Sequence, residues 1–127
     1  MIIITLQKEV GERICAKAPD ATYLSSFVQT FFEVEYLKTV PKTVFDPVPQ
    51  VDGAVIKFSR REAPIPNDLI HKYEGFLHKG FSNPRKMLNK VFRKEELERV
   101  NVDATLRPQN VDWEKWVEMF KALVIVQ

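Results

Sequence analysis

The stretch Phe45 to Val55, FDPVPQVDGAV, sets an aromatic residue and two prolines immediately ahead of a strand-like run. Each proline fixes its own φ and drives the residue before it toward extended geometry, so Val44 to Gln50 is expected to be a stiff, solvated loop. Such a loop can hold one side chain still, and Phe45 is the side chain it would hold. A second group with chemical potential is cationic. From Lys72 to Lys94 the bases Lys72, Lys79, Arg85, Lys86, Lys90, Arg93 and Lys94 face the single acid Glu74, whereas Glu95 to Glu118 is mostly acidic. A clustered basic face is what phosphate binding needs, because each neutralised phosphate releases counterions. The plain alternatives are a core phenylalanine at a strand end and a solvated helix face.

Other reactive residue types are sparse. A single cysteine, Cys15, cannot form an internal disulfide, and His71 and His78 offer no ligand set with zinc spacing, so no metal is expected. Cys15 reads as a small buried apolar residue. Glu9 and Glu12 read as a solvated face, and Trp113 and Trp116 as core. The 127 residues are 45% apolar and 28% charged with a net charge of only +2, which fits one ordinary globular domain. Met1 to Leu6 is too short to span a bilayer and no basic stretch precedes it, so a soluble, cytoplasmic protein with no membrane partner is expected.

The elements that would position these residues fall into two halves. IIITL at Ile2 to Leu6 has the pattern of a strand covered on both faces, usual in a parallel sheet. Lys8 to Lys17 reads as a helix ended by Pro19, and Tyr23 to Phe32 as a second, with Leu24, Phe27, Val28 and Phe31 at helical spacing. Glu33 to Val40 alternates as a half-buried strand, and Gly53 to Phe58 reads as its partner across the proline loop. After EAPIPND at Glu62 to Asp68 the pattern is helical: Leu69, Tyr73, Phe76, Leu77 and Phe81 form one stripe, and Pro84 opens a segment with Met87, Leu88, Val91 and Phe92. Glu95 to Val100 is a short piece, and Asp112 is placed to cap a last helix carrying Trp113, Trp116, Val117, Phe120 and Leu123. The tail LVIVQ carries a short strand signal. The picture is the end of an α/β sheet followed by a small helical module. Three strands cannot bury the edge and both faces of IIITL, so a partner or a preceding segment is expected to complete the sheet.

Taken in order, LQKEVGERICAK, LSSFVQTFFEVEYLKTVP, VFDPVPQVDGAVIKF and FSNPRKMLNKVF resemble the C-terminal half of the ribosomal RNA adenine dimethyltransferase family, most closely its bacterial small-subunit members. The resemblance implies a fold of class α/β: the C-terminal part of a Rossmann-like methyltransferase sheet over 1–62, incomplete, and a small all-helical RNA-binding domain over 63–127. It implies a parent enzyme that uses S-adenosylmethionine to methylate adenine N6 twice in small-subunit ribosomal RNA, alone or in a pre-ribosomal subunit. Neither the family's Gly-rich turn nor its Asn-Leu-Pro-Tyr loop occurs here, so no catalytic or cofactor-binding residue is expected in this chain. The missing N-terminal methyltransferase half would be its partner. By the same resemblance Phe45 would stack on the extruded adenine with Pro47 and Pro49 stiffening its loop, and Lys79, Arg85, Lys86, Lys90, Arg93 and Lys94 would contact RNA. Arg85, Lys86 and Asn89 match the family's Arg-Lys-x-Leu-x-Asn-like segment up to a shift. The loop departs from the family's Pro-Pro-Pro-Lys-Val-Asp-Ser at Gln50, which replaces a lysine, and at Gly53, and the segment between Lys17 and Leu24 is shorter than usual. The alternative is a stand-alone, catalytically inactive RNA-binding or ribosome-associating module.

Overall fold

A computed structural model of the chain describes residues 1–62 and 64–125. Five elements build the first half: β1 (Ile2–Gln7), α1 (Lys8–Cys15), α2 (Tyr23–Phe31), β2 (Phe32–Val40) and β3 (Gly53–Arg60). The three strands form one sheet in the order β1-β3-β2. Gly53, at the start of β3, pairs with Gln7 on one side and Val40 on the other, and both pairings are antiparallel. The β2 and β3 partnership expected across the proline loop is therefore present, with an irregularity between Tyr36 and Lys38 that leaves Leu37 out of register.

β1 departs from its expected setting. It hydrogen-bonds antiparallel to β3, not within a parallel pair, and Ile2, Ile3 and Ile4 are 55%, 54% and 40% exposed. Its isoleucines have one neighbouring strand, and among the described residues the sheet order gives β1 none on its outer edge.

Helix α1 stacks on β3 through Gly11, where an added Cβ would lie 2.9 Å from that of Ala54. Ile14 is buried beside it, and Cys15 is only half-buried, its thiol pushed up by burial. Helix α2 turns an unexpected face inward. Its buried residues are Ser25, Ser26, Gln29 and Thr30, while Leu24, Phe27, Val28 and Phe31 are half-buried. Small side chains let α2 approach α1 and β2 closely, and the polar groups of Ser25, Gln29 and Thr30 are bonded locally, whereas the buried Ser26 hydroxyl has no hydrogen-bond partner among the described residues. Thr22 and Ser25 cap the helix reciprocally, and Gln29 Nε2 donates to the C-terminal carbonyls of Ile14 and Ala16 at 2.8 and 3.0 Å.

In the second half, α3 (Ile70–Gly80), α4 (Lys94–Arg99) and α5 (Trp113–Phe120) surround an aromatic core of Tyr73, Phe76, Phe92, Trp116 and Phe120. Asp112 caps α5 as expected, accepting from the Lys115 N–H at 3.0 Å. Gly80 is required for closeness, since a Cβ there would come within 2.5 Å of Trp116 Cη2. Trp116 is fully buried and Trp113 half-buried against the same core. Phe27 and Phe31 of α2 also pack on it, and the Thr30 and Tyr73 hydroxyls, both buried, are bonded at 2.7 Å.

Two helical expectations are corrected. The segment after Pro84 forms one 3-10 turn, Leu88–Lys90, because Leu88 and Asn89 donate their N–H groups to Leu106 and Ala104 carbonyls instead of to a preceding turn. The tail does not form a strand: Lys121–Ile125 continues α5 as a π-helical turn that buries Leu123, and residues 126–127 lie outside the described ones.

Candidate nucleic-acid interface

The loop between β2 and β3 is built from its two ends. Lys42–Val44 makes a 3-10 turn after Pro41, and Phe45 donates its N–H to the Lys42 carbonyl at 3.3 Å. At the far end Asp52 Oδ1 accepts the Lys42 N–H at 2.9 Å, and the Asp52 carbonyl accepts the Lys8 N–H at 2.9 Å. The loop is thereby closed on itself and tied to the junction of β1 and α1. Between these anchors everything from Pro41 to Val51 is exposed except Phe45, which is half-buried.

Phe45 lies over Gly53, whose missing Cβ would meet its Cζ at 3.3 Å. Ring, loop and strand enclose an open cleft of about 510 Å³ lined by Thr5, Leu6, Gln7, Phe45, Pro49, Gln50 and Asp52. Pro49 borders the cleft; Pro47 stands exposed on the loop outside that lining. A flat group entering there would find an aromatic face with the Gln50 amide and backbone polar groups nearby. The Asp52 and Gly53 contributions were not anticipated, although the aspartate-glycine pair at the loop's end was their signal.

The basic residues occupy the opposite half and are all exposed. Lys79, near the end of α3, places its ammonium 5.1 Å over the Phe92 ring. Arg93 and Lys94 at the start of α4 are partly engaged, with Glu96 at 3.5 Å and Glu98 at 3.9 Å. The Arg93 N–H and the nearby charges of Arg93 and Lys79 hold the Glu96 carboxyl below its ordinary range. Lys86 and Lys90 have no ion-pair partner among the described residues. Arg107, distant in sequence, joins this surface by donating from Nε to the Arg85 carbonyl at 3.0 Å. The chain fold thus brings Lys79, Phe92, Arg93 and Glu96 together, and Arg85 with Arg107. Exposed pairs of this kind hold little energy of their own, which leaves the cations available to phosphate.

Arg61 joins the two halves. It directly follows β3 and donates from Nε to the Gln29 carbonyl at 3.0 Å and from a terminal nitrogen to Phe32 at 3.4 Å, and its guanidinium lies 4.4 Å from the Trp113 ring centroid.

No cradle for S-adenosylmethionine is present among the described residues. Gly11 and Gly80 are filled by Ala54 and Trp116, Gly53 lies under Phe45, Gly75 meets nothing within 4 Å, and the β1 to α1 turn at Gln7 and Lys8 carries no glycine. Nor does any group of three or more His, Cys, Asp or Glu among them stand ready to hold a metal ion, and no helix is long and apolar enough to cross a membrane.

Relatives bear on these features. Ribosomal RNA small subunit methyltransferase A of Persephonella marina is 35% identical over 94% of this chain and 46% of its own length, and that of Fusobacterium nucleatum is 36% identical over 93% and 49%. The chain therefore spans about half the length of the curated relatives it matches. Among solved structures, a dimethyladenosine transferase from Plasmodium falciparum superposes with a TM-score of 0.84 at 21% identity over 94% of this chain and 55% of that one. The 23S rRNA methyltransferase ErmE gives 0.67 at 21% identity over 95% and 53%. These superpositions show that the mixed α/β fold is shared with those two chains. The ribosomal RNA adenine dimethylase family matches residues 1–125, so this chain belongs to that family.

Proposed function

We propose that this chain is the RNA-facing part of an rRNA adenine N6,N6-dimethyltransferase acting on small-subunit RNA in ribosome assembly. The observation that carries the reading is the Phe45 ring, held over Gly53 at an open cleft by a loop that is otherwise solvated. An aromatic kept half-exposed at such a cleft suits the reception of a base taken out of its stack, and a flat ring accepts any purine face without hydrogen-bond demands. Pro47 and Pro49 restrict the loop, so little freedom is lost when the base arrives. Lys79, Arg85, Lys86, Lys90, Arg93 and Lys94 serve as phosphate contacts that seat a folded RNA by shape. The division we favour puts the sheet over 1–62 and the RNA-binding helices over 63–127.

S-adenosylmethionine is the methyl donor the family's chemistry calls for. Because the described residues do not fit it, we assign its site to the half of the relatives that this chain does not match, and the contribution of this chain is to present the base. The reaction and its compartment, the cytoplasm of a bacterium, are carried by that assignment.

The test is Phe45→Ala in the complete enzyme. Stacking of one base on an aromatic ring is worth about 1–3 kcal/mol, so turnover should fall roughly five- to 150-fold while S-adenosylmethionine affinity stays unchanged. Equal loss of both, or loss of folding, would mean that Phe45 is a core residue. RNA binding with no methylation by any form of the enzyme would favour the stand-alone RNA-binding module.

A further inference from the structure

We propose that Asp52 is the positioning residue that sets Phe45, acting as a brace across the base of its loop; the proposal rests on the reading of Phe45 as the base-stacking residue. The loop around Phe45 is exposed while Phe45 itself is half-buried, its Cζ 3.3 Å from where a Cβ on Gly53 would lie. What fixes the turn that carries Phe45 is the bond from the Lys42 N–H to Asp52 Oδ1 at 2.9 Å. Lys42 in turn accepts the Phe45 N–H through its carbonyl. The same aspartate, through its own carbonyl and the Lys8 N–H at 2.9 Å, ties the loop to the end of β1 beside the cleft. One residue therefore references the aromatic ring to the strand that forms the opposite wall of the cleft. A carboxylate accepting a backbone N–H makes a charge-assisted bond, stronger and more directional than a contact between neutral groups.

The brace acts through Phe45 and touches no substrate, so its loss should appear in turnover and not in RNA affinity. In the complete enzyme, Asp52→Ala should lower kcat about tenfold with KM for RNA within twofold, and Asp52→Asn, which keeps an acceptor at Oδ1, should restore most of the rate. Lys42→Pro removes the donor at a position whose preceding Pro41 already has the extended backbone a proline requires, with φ −58° and ψ 139°. Its loss and that of Asp52→Ala should not add, as members of one contact do not. With 2-aminopurine in place of the methylated adenine, the flipped base should be quenched by the wild-type loop and less so by Asp52→Ala.

Additive losses, or Asp52→Ala turning over like wild type while Phe45→Ala does not, would overturn the brace. Should Phe45→Ala leave turnover intact, the stacking reading falls by itself. Hydrogen exchange at the Lys42 amide then decides separately: faster exchange in Asp52→Ala than in Asp52→Asn upholds the brace, and equal protection refutes it. Where Asp52→Ala folds too poorly for kinetics, Lys42→Pro removes the same bond from its other end: a loss of about tenfold in kcat upholds the brace, and wild-type turnover refutes it.

Discussion

The two halves of this chain bury themselves in opposite ways. In the helical half Tyr73, Leu77, Leu88, Trp116, Met119 and Phe120 are all fully buried, and around Phe76 the rings of Trp116 and Phe120 meet it edge to face and that of Phe92 tilted, at centroid separations of 5.4 to 6.1 Å. In the sheet half, the buried apolar residues are mostly small, Ala21, Ala54 and Gly11 with Ile14 and Ile56, while the isoleucines of β1 stand exposed. A helical cluster can close an apolar core on itself from every side. A sheet has two faces and two edges to cover, and three strands with two helices cover only part of them. Stability should therefore concentrate in the helices, and the exposed apolar surface that can meet another segment concentrates in the sheet half.

Removing the largest buried side chain probes that contrast most strongly. Trp116→Ala should destabilise the chain by about 3–5 kcal/mol in urea unfolding, the usual cost of emptying a well-packed aromatic site. A loss near 1 kcal/mol would put the stability elsewhere.

The next effect is one of pH. Burial, only partly opposed by the hydrogen bond to Thr30, pushes the Tyr73 hydroxyl up to about 12 from its ordinary 10. The folded state therefore keeps this proton after the unfolded chain has released it. The contribution is full below pH 10 and is lost between pH 10 and about 12, amounting to roughly 2–3 kcal/mol. Tyr73→Phe should flatten the alkaline limb of the stability curve. A wild-type curve already flat there would mean that the hydroxyl is not held as described.

A smaller change concerns the charged surface. Replacing both Arg85 and Lys86 by Ala should reduce the salt slope of RNA binding by about two, one for each lost phosphate contact, without altering unfolding. An unchanged slope would leave these cations as a solvated face. Smallest of all, Ile3→Ser on β1 should shift unfolding of this chain by less than about 0.5 kcal/mol, because the side chain is already 54% exposed. A large loss would show that β1 is covered in solution.

Much of this arrangement is readable from residue order. The β-branched run, the alternation at Glu33 to Val40 and the helical spacing around Tyr73 are local signals, and each produced the element its period calls for. What stayed hidden depends on contacts between distant positions. Period alone put Phe27 and Phe31 on the inner face of α2. It could not register that Gln29 would be needed to satisfy the carbonyls ending α1, or that serines there allow close approach. The residues after Pro84 carry helical spacing, yet the backbone donors of Leu88 and Asn89 are taken by carbonyls of residues 104 and 106. For the loop that carries Phe45, aromatic and prolines announce a rigid segment, whereas the bond from Lys42 to Asp52 depends on a ten-residue closure that no local pattern encodes. Arg107 joins the basic surface in the same non-local way, and its neighbours in sequence give no hint of it.

Arg61 stands at the junction of the two halves. It spends its donors on the carbonyls that end α2 and start β2 and lies against Trp113, fixing the joint between sheet and helices. On the proposed function, Phe45 lies on one side of that joint and Arg85 with Lys86 on the other, like the two jaws of a calliper locked at one opening. Such an instrument selects its substrate by dimension: an RNA whose reactive base and docking phosphates match the gap is gripped at both ends. One that differs by a bulge engages a single jaw and is released. Loosening Arg61 would then cost the protein discrimination between RNAs before it cost any affinity for the right one.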